Sequence, residues 1–302
     1  MGCPGSGKST YCNKYKDKKD YIVISSDSVR EELGDINDQS RNNEVFKIVH
    51  ERTKYALING FNVIQDSTNL SRKNRRHTLE QLKNIHCEKV CVLFATPYEL
   101  ALARNFARDR QVPEGVIARM YKSFEVPCLQ EGFDDIQIVW ADYKDMPGFE
   151  YDIMADLKKW KTISHDNPHH CLNIGDHMMK AYSHYISEYD IIDDYLKWSI
   201  LMHDCGKNSV KSFCDSHGEP SEIAHFYSHE NIGAFLSLFY LRRLCSLWSD
   251  KDIIYMSLLI NLHMRPYVWE QSEKAKQNDL KLFGSDIVND IYILNKCDKA
   301  AH

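Results

Sequence analysis

Gly2-Cys3-Pro4-Gly5-Ser6-Gly7-Lys8-Ser9-Thr10 satisfies the pattern G-x-x-x-x-G-K-[ST], and its reading decides the fold of the first half. Glycines at these positions let successive backbone N–H groups converge on phosphate oxygens, while Lys8 reaches the β- and γ-phosphates and Ser9 holds Mg²⁺. Gly2, Gly5, Ser6, Gly7, Lys8, Ser9 and Thr10 are therefore the expected nucleotide-binding residues, with ATP or GTP and Mg²⁺ as ligands. The plainer alternative is a glycine-rich turn ahead of a helix. The downstream residues argue against it, because strand-like and helix-like segments alternate. Tyr21–Ser25, Asn62–Gln65, Lys89–Ala95 and Ile136–Trp140 read as short buried strands, with helical stretches over Asn43–Ile58, Ser71–Asn84 and Tyr98–Arg108. Alternation of this kind implies an α/β domain with a parallel sheet and crossover helices.

The chain has 302 residues, enough for two domains of about 150 residues each. At 43% hydrophobic and 27% charged it has material for two cores, which excludes general disorder. No apolar run approaches the roughly 20 residues of a membrane helix, and no signal peptide is recognisable. Ten cysteines lie scattered without a paired framework, as free thiols in a reducing compartment would, so a soluble, cytoplasmic protein without a membrane partner is expected. A net charge of −5 argues against coating nucleic acid by bulk electrostatics but leaves room for gripping a few phosphates at an end.

Of 14 histidines, only His50, His77 and His86 precede residue 160. Strand signals fade from about Asp152. Asn173–Tyr189, Tyr195–Cys205, His229–Leu244, Asp250–Met264 and Ser285–Lys299 have helical length and periodicity. The expected organisation is an α/β domain over 1–150 and an all-α domain over 156–302. The boundary falls between Tyr143 and Lys158, where Met146-Pro147-Gly148 breaks regular structure.

Several residues of the first half suit phosphoryl transfer. Asp27 and Arg30, three apart at a helix start, can accept a proton from an attacking hydroxyl and hold a substrate phosphate. A helix cap followed by a solvated arginine fits them as well. Asp66 falls in Q-D-S-T-N at the end of the strand-like Asn62–Gln65, where it can order Mg²⁺; a plain turn residue is the alternative. Arg104 and Arg108 share a helix face at i,i+4 and, with Arg110, precede a proline-containing loop that can close over ATP; a solvated basic face is the competing reading.

G-C-P-G-S-G-K-S-T, D-S-V-R, D-S-T-N-L and R-N-F-A-R…V-P…R-M-Y-K-S together resemble the phage-type polynucleotide 5′-hydroxyl kinases over about residues 2–140. The resemblance implies that Lys8 and Ser9 bind ATP-Mg, that Asp27 is general base for a 5′-OH and that Arg30 holds the adjacent phosphate. It makes Arg104 and Arg108 the lid on the donor phosphates. Arg72-Lys73-Asn74-Arg75-Arg76 fits a track for a nucleic-acid backbone and, equally, a solvated helix start. A P-loop ordinarily follows a central buried strand, yet only Met1 precedes Gly2. Either residues ahead of Met1 are missing or another segment fills that slot. The first is the expectation, and with it a kinase of reduced competence.

The second half carries N-I-G-D-H-M-M-K, L-M-H-D-C-G-K, F-Y-S-H-E-N-I-G-A, L-H-M-R and N-K-C-D-K-A. Imidazole and carboxylate together suit Mn²⁺, Zn²⁺, Fe²⁺, Ni²⁺ or Co²⁺, and a carboxylate can bridge two such ions. Any one of these histidines alone is more often structural. As an ordered set they resemble the HD phosphohydrolase superfamily over about residues 160–302. That resemblance implies a helical bundle in which His177, His203, Asp204 and Asp298 are core metal ligands. His229 and His263 would be the extra ligands of two-metal members, and Lys207 would steady a substrate phosphate. His169 and His170 fall in a preceding loop as candidate substrate contacts, and His225 competes with His229. Only four residues follow Asp298, so the C-terminus is a second place where a shortened chain is expected.

The two resemblances combine into one expectation: a bifunctional end-healing enzyme. One domain phosphorylates 5′-OH ends, and the other hydrolyses 2′,3′-cyclic phosphate or 3′-phosphate ends. RNA is favoured over DNA, with a separate RNA ligase as functional partner. A small-molecule kinase fused to a nucleotide phosphohydrolase, and a nucleotide-sensing module, are the alternatives.

Overall fold

The computed structural model describes residues 1–36, 38, 40–142, 150–168 and 171–302. His169, His170 and the Met146-Pro147-Gly148 breaker lie outside the described residues. The chain divides into two compact units, Met1–Met120 with Glu131–Met146, and Tyr121–Gln130 with Pro147–His302. Local patterning in the sequence does not mark the excursion of Tyr121–Gln130 into the second unit. Its packing partners are remote in the chain: Phe124 meets Phe235 edge-on and Val126 N donates to Asn261 Oδ1.

The first unit runs α1 (Lys8–Asn13), β1 (Tyr21–Ser25), α2 (Ser26–Glu32), α3 (Asn42–Ile58), β2 (Asn62–Asp66), α4 (Arg72–Gln81), β3 (Val90–Ala95), α5 (Tyr98–Phe106), α6 (Glu114–Lys122) and β4 (Asp135–Trp140). β1 pairs in parallel with β2, and β3 with β4. Ile24, Val29, Val45 and Val49 bury the face of β1 against α2 and α3. The first two residues run between β2 and β3, where Gly2 N donates to Thr68 O and Phe94 N to Met1 O. Among the described residues no other strand takes that slot.

α5 stops at Phe106, so Arg108 lies beyond the helix that the i,i+4 spacing extends to it. The basic run at the start of α4 needs a larger correction. Arg75 is buried and makes a two-pronged pair with Glu131, both contacts at 2.7 Å, and Arg72 Nε stands 3.7 Å from the same carboxylate. Arg75 therefore ties α4 to the turn ahead of β4 and offers nothing to a phosphate, while Lys73 and Arg76 stay exposed. Removing one partner of such a pair strands a buried charge. Arg75→Ala should cost this unit about 3–5 kcal/mol, read as a lowered urea midpoint.

The second unit contains α7 (Ile153–Trp160), α8 (Ile174–Glu188), α9 (Asp194–Met202), α10 (Lys207–Val210), β5 (Ser212–Cys214), β6 (Pro220–His225), α11 (His229–Leu244), α12 (Asp250–Leu262), α13 (Arg265–Trp269), α14 (Glu273–Phe283) and α15 (Ser285–Ala300). Ile174, Met178, Ala181 and Tyr185 bury one stripe of α8, the helical face that packs on α9 and α15. The unit is not purely helical: β5 and β6 form an antiparallel hairpin. Its strands are short and mostly exposed, so they lack the apolar alternation that announces a strand. No helix among the described residues is long and apolar enough to cross a membrane.

Candidate functional site

Two clusters of chemically active side chains stand in the two units. In the first, the P-loop turns through Gly5 and Gly7, both with left-handed φ (78° and 96°). Gly5 admits no substitute, since a Cβ there would sit 2.1 Å from Ala101 O. The loop, with Asp27, Asp66, Arg104, Arg108 and Arg110, lines a cavity of about 1250 Å³. Lys8 Nζ donates to Cys3 O at 2.8 Å, and burial holds its pKa below the usual value, partly offset by the Asp66 carboxylate. Ser9 Oγ donates to Asp66 Oδ2 at 3.2 Å, so the two groups expected to hold Mg²⁺ already touch. Asp27 is gripped from two sides at 2.9 Å, Oδ1 by Arg30 and Oδ2 by Arg110. Arg30 is itself buried and also donates to Asn42 Oδ1 at 2.7 Å. Arg110 thus pairs directly with Asp27, a contact that sequence reading of a lid does not supply.

Residues 1–127 match the protein-family model described as AAA domain. The first unit is a P-loop kinase-like domain. L-seryl-tRNA(Sec) kinase of Methanococcus maripaludis is 30% identical over 138 residues, covering 44% of this chain and 54% of that protein. The chain spans about half the length of this curated relative.

The second cluster assembles residues from three helices and from the ends of two others. His177 comes from α8, His203 and Asp204 from the turn after α9, His229 from the first position of α11, His263 from the end of α12 and Asp298 from α15. All six are buried. His177 Nε2 lies 3.0 Å from Asp298 Oδ1, 3.2 Å from His203 Nε2 and 3.3 Å from Asp204 Oδ2. The other oxygen, Asp204 Oδ1, lies 3.3 Å from His229 Nε2 and 3.7 Å from His263 Nε2. One carboxylate therefore joins two donor groups, His177–His203–Asp204–Asp298 and Asp204–His229–His263.

The far ring nitrogens fix the chemistry. The Nδ1 atoms of His203, His229 and His263 face the carbonyls of Ile200, Phe226 and Ile260 at 2.8, 2.9 and 2.7 Å. Donation to those carbonyls leaves the Nε2 atoms of His229 and His263 as lone pairs aimed at one another, which call for a cation, while at His203 the Asp204 and Asp298 carboxylates draw a proton onto Nε2. Lys207 Nζ stands 2.7 Å from Asp204 Oδ2 but out of line, and among the described residues that buried oxygen has no hydrogen bond. The donor set fits one or two borderline divalent ions.

Gly206 makes the convergence possible. A Cβ there would meet His229 O at 2.1 Å, so α11 approaches the His203-Asp204 turn only against bare backbone. Ser228 (φ 65°) bends the chain just ahead of His229.

Electrostatics agree with cation binding. Burial alone would raise Asp204, but Lys207 and His203 hold it well below the ordinary carboxylate value. Burial would lower His203, yet Asp204 and Asp298 outweigh it and push its pKa up to about 10. Burial and the neighbouring His229 drag His263 down to about 3. A proton on His203 thus occupies the place of a cation. Metal uptake must expel it, so Mn²⁺ affinity should rise as pH climbs from 7 and level off near 10, with proton release measurable by calorimetry in two buffers.

His225, the competitor of His229, stays outside the cluster and bonds Ser221 and Tyr227. Three residues beside the centre carried no sequence signal. His165 is buried with Nε2 3.3 Å from Lys207 Nζ, Tyr267 donates to Asp298 Oδ2 at 3.0 Å, and His302 Nε2 lies 3.5 Å from Asp298 Oδ1.

Proposed function

We propose that this chain is a bifunctional end-healing enzyme for nucleic acid, RNA above DNA. Its P-loop unit would phosphorylate a 5′-OH, and its helical unit, read as an HD-type phosphohydrolase, would clear a 2′,3′-cyclic phosphate or 3′-phosphate. The observation that carries the reading is the pairing in one chain of a P-loop cavity holding Asp27 with a buried four-histidine, two-aspartate donor set joined by Asp204. The two activities would supply what ligation requires, a 5′-phosphate and a 3′-OH, for a separate RNA ligase.

In the kinase step, Asp27 takes the proton of the attacking hydroxyl while Lys8 neutralises the transferred phosphoryl group. The carboxylate is aimed by Arg30 and Arg110, and release of Arg110 exposes Oδ2 to the hydroxyl. Arg30 lines the cavity beside Asp27, where it would meet the acceptor's phosphate. Arg104 and Arg108 stand on the cavity wall to cover the donor phosphates. In the second unit, His177, His203, Asp204 and Asp298 would hold one ion and Asp204, His229 and His263 another. Bound there, divalent ions supply Lewis acidity and an activated water. Lys207 holds Asp204 in place and faces the same cavity, where it can meet a substrate phosphate.

The relative's name points to a second acceptor, a hydroxyl carried on seryl-tRNA. A competition among radiolabel acceptors separates the readings. Transfer from γ-labelled ATP to a 5′-OH oligoribonucleotide, in preference to free nucleosides and seryl-tRNA, supports end healing; preference for either of the others overturns the 5′-OH assignment.

A further inference from the structure

The cavity of about 650 Å³ that opens onto Asp204, His229, His263 and Asp298 is also lined by Phe226 and Tyr227. Tyr227 is 46% exposed beside an otherwise buried donor set. Single exposed aromatic rings are common on protein surfaces and need no ligand. Tyr227 differs in being locked. Its ring lies parallel to that of His225, with centroids 5.2 Å apart and 7° between planes. Its hydroxyl donates to His225 Nδ1 at 3.1 Å, and His225 Nε2 donates to Ser221 Oγ at 3.0 Å. One tautomer satisfies both bonds, so the imidazole is fixed and in turn fixes the phenol. No other ring covers Tyr227 among the described residues. Lining the same cavity, Lys207 Nζ stands 5.5 Å over the Phe226 ring. A rigid aromatic face, a lysine and a bridging carboxylate thus share one opening.

We propose that Tyr227 is the stacking surface of a nucleobase subsite, so that the ligand of this centre is a nucleotide phosphate whose base lies on Tyr227 while its phosphate reaches Lys207. The identity of the phosphate end rests on the phosphohydrolase reading; the stacking does not. Every base has a π-face, so the subsite takes bases with little sequence preference.

Calorimetry on the Mn²⁺-loaded protein tests this with two slowly hydrolysed probes, adenosine 3′-phosphorothioate and base-free ribose 3-phosphorothioate. The adenosine probe should bind about tenfold tighter, the scale of one base–aromatic stack. Tyr227→Leu should erase that preference and leave ribose binding unchanged, while Tyr227→Trp keeps it. Equal affinities in the parent protein, or a preference that survives in Tyr227→Leu, would overturn the subsite. A trinucleotide with the same 3′ end identifies the source: tighter binding means a nucleic-acid end, equal binding a free nucleotide. If neither cyclic phosphate nor 3′-phosphate ends are hydrolysed, the phosphohydrolase reading fails while the base preference stands. Hydrolysis without base preference removes the subsite alone.

Discussion

Asp204→Asn should leave the helical unit unable to hold a divalent ion at either of the two proposed positions. Oδ2 faces His177, His203 and Asp298, and Oδ1 faces His229 and His263, so a neutral amide weakens both groups at once. Mutating outer-shell partners of a metal typically costs about 10–100-fold in affinity, and a shared ligand should cost more. His263→Ala should instead spare the His177–His203–Asp204–Asp298 group. Elemental analysis after dialysis against Mn²⁺ reads the difference directly, with the parent protein retaining ions and Asp204→Asn retaining none. Thermal denaturation gives a second readout. Mn²⁺ at about a hundred times its dissociation constant should stabilise the parent protein by about 2.7 kcal/mol and leave the variant unmoved. Undiminished Mn²⁺ retention by Asp204→Asn would sink the bridging role.

Asp27→Asn should lower the rate of phosphoryl transfer by about 10²–10⁴-fold, the range expected for loss of a general base. The substitution keeps the shape of the side chain and one of its two arginine bonds, since the amide NH2 cannot accept from the other, and it removes the proton acceptor. ATP binding, which rests on the P-loop and Lys8, should be unchanged, so the loss should appear in kcat with the KM for ATP held. A variant that turns over at the parent rate would remove Asp27 from the chemistry. Arg110→Ala offers a useful contrast, because it frees Oδ2 without touching the base itself.

The first unit was legible because its signals are local. The glycine spacing specifies the P-loop turn, and runs such as YIVIS and VCVLFA find parallel partners in β2 and β4. Arg75 shows where local reading ends. A basic run at a helix start looks solvated, but Glu131, 56 residues away in sequence, draws that side chain into the interior. In the second unit, the adjacent His203-Asp204 pair and its ordered companions were readable as residue types, and the structure brings all six into one cluster. His165, Tyr267 and Tyr227 were not readable, since their meaning comes from packing between helices and from a hairpin whose exposed strands lack alternation. α14 escaped notice for a related reason: its sequence, EKAKQNDLKLF, buries only Asp279 and Phe283.

The central claim is that two separate sites in this chain act on the two ends of a nucleic acid. Mass spectrometry of one short RNA with a 5′-OH and a 2′,3′-cyclic phosphate, incubated with the protein and Mn²⁺ with and without ATP, tests it most directly. A phosphate should be gained at the 5′ end only with ATP, and the 3′ phosphate should be opened or lost regardless of ATP. Asp27→Asn should abolish the first change alone, and Asp204→Asn the second alone. An RNA left unchanged at both ends, while small nucleotides are phosphorylated or hydrolysed, would contradict it.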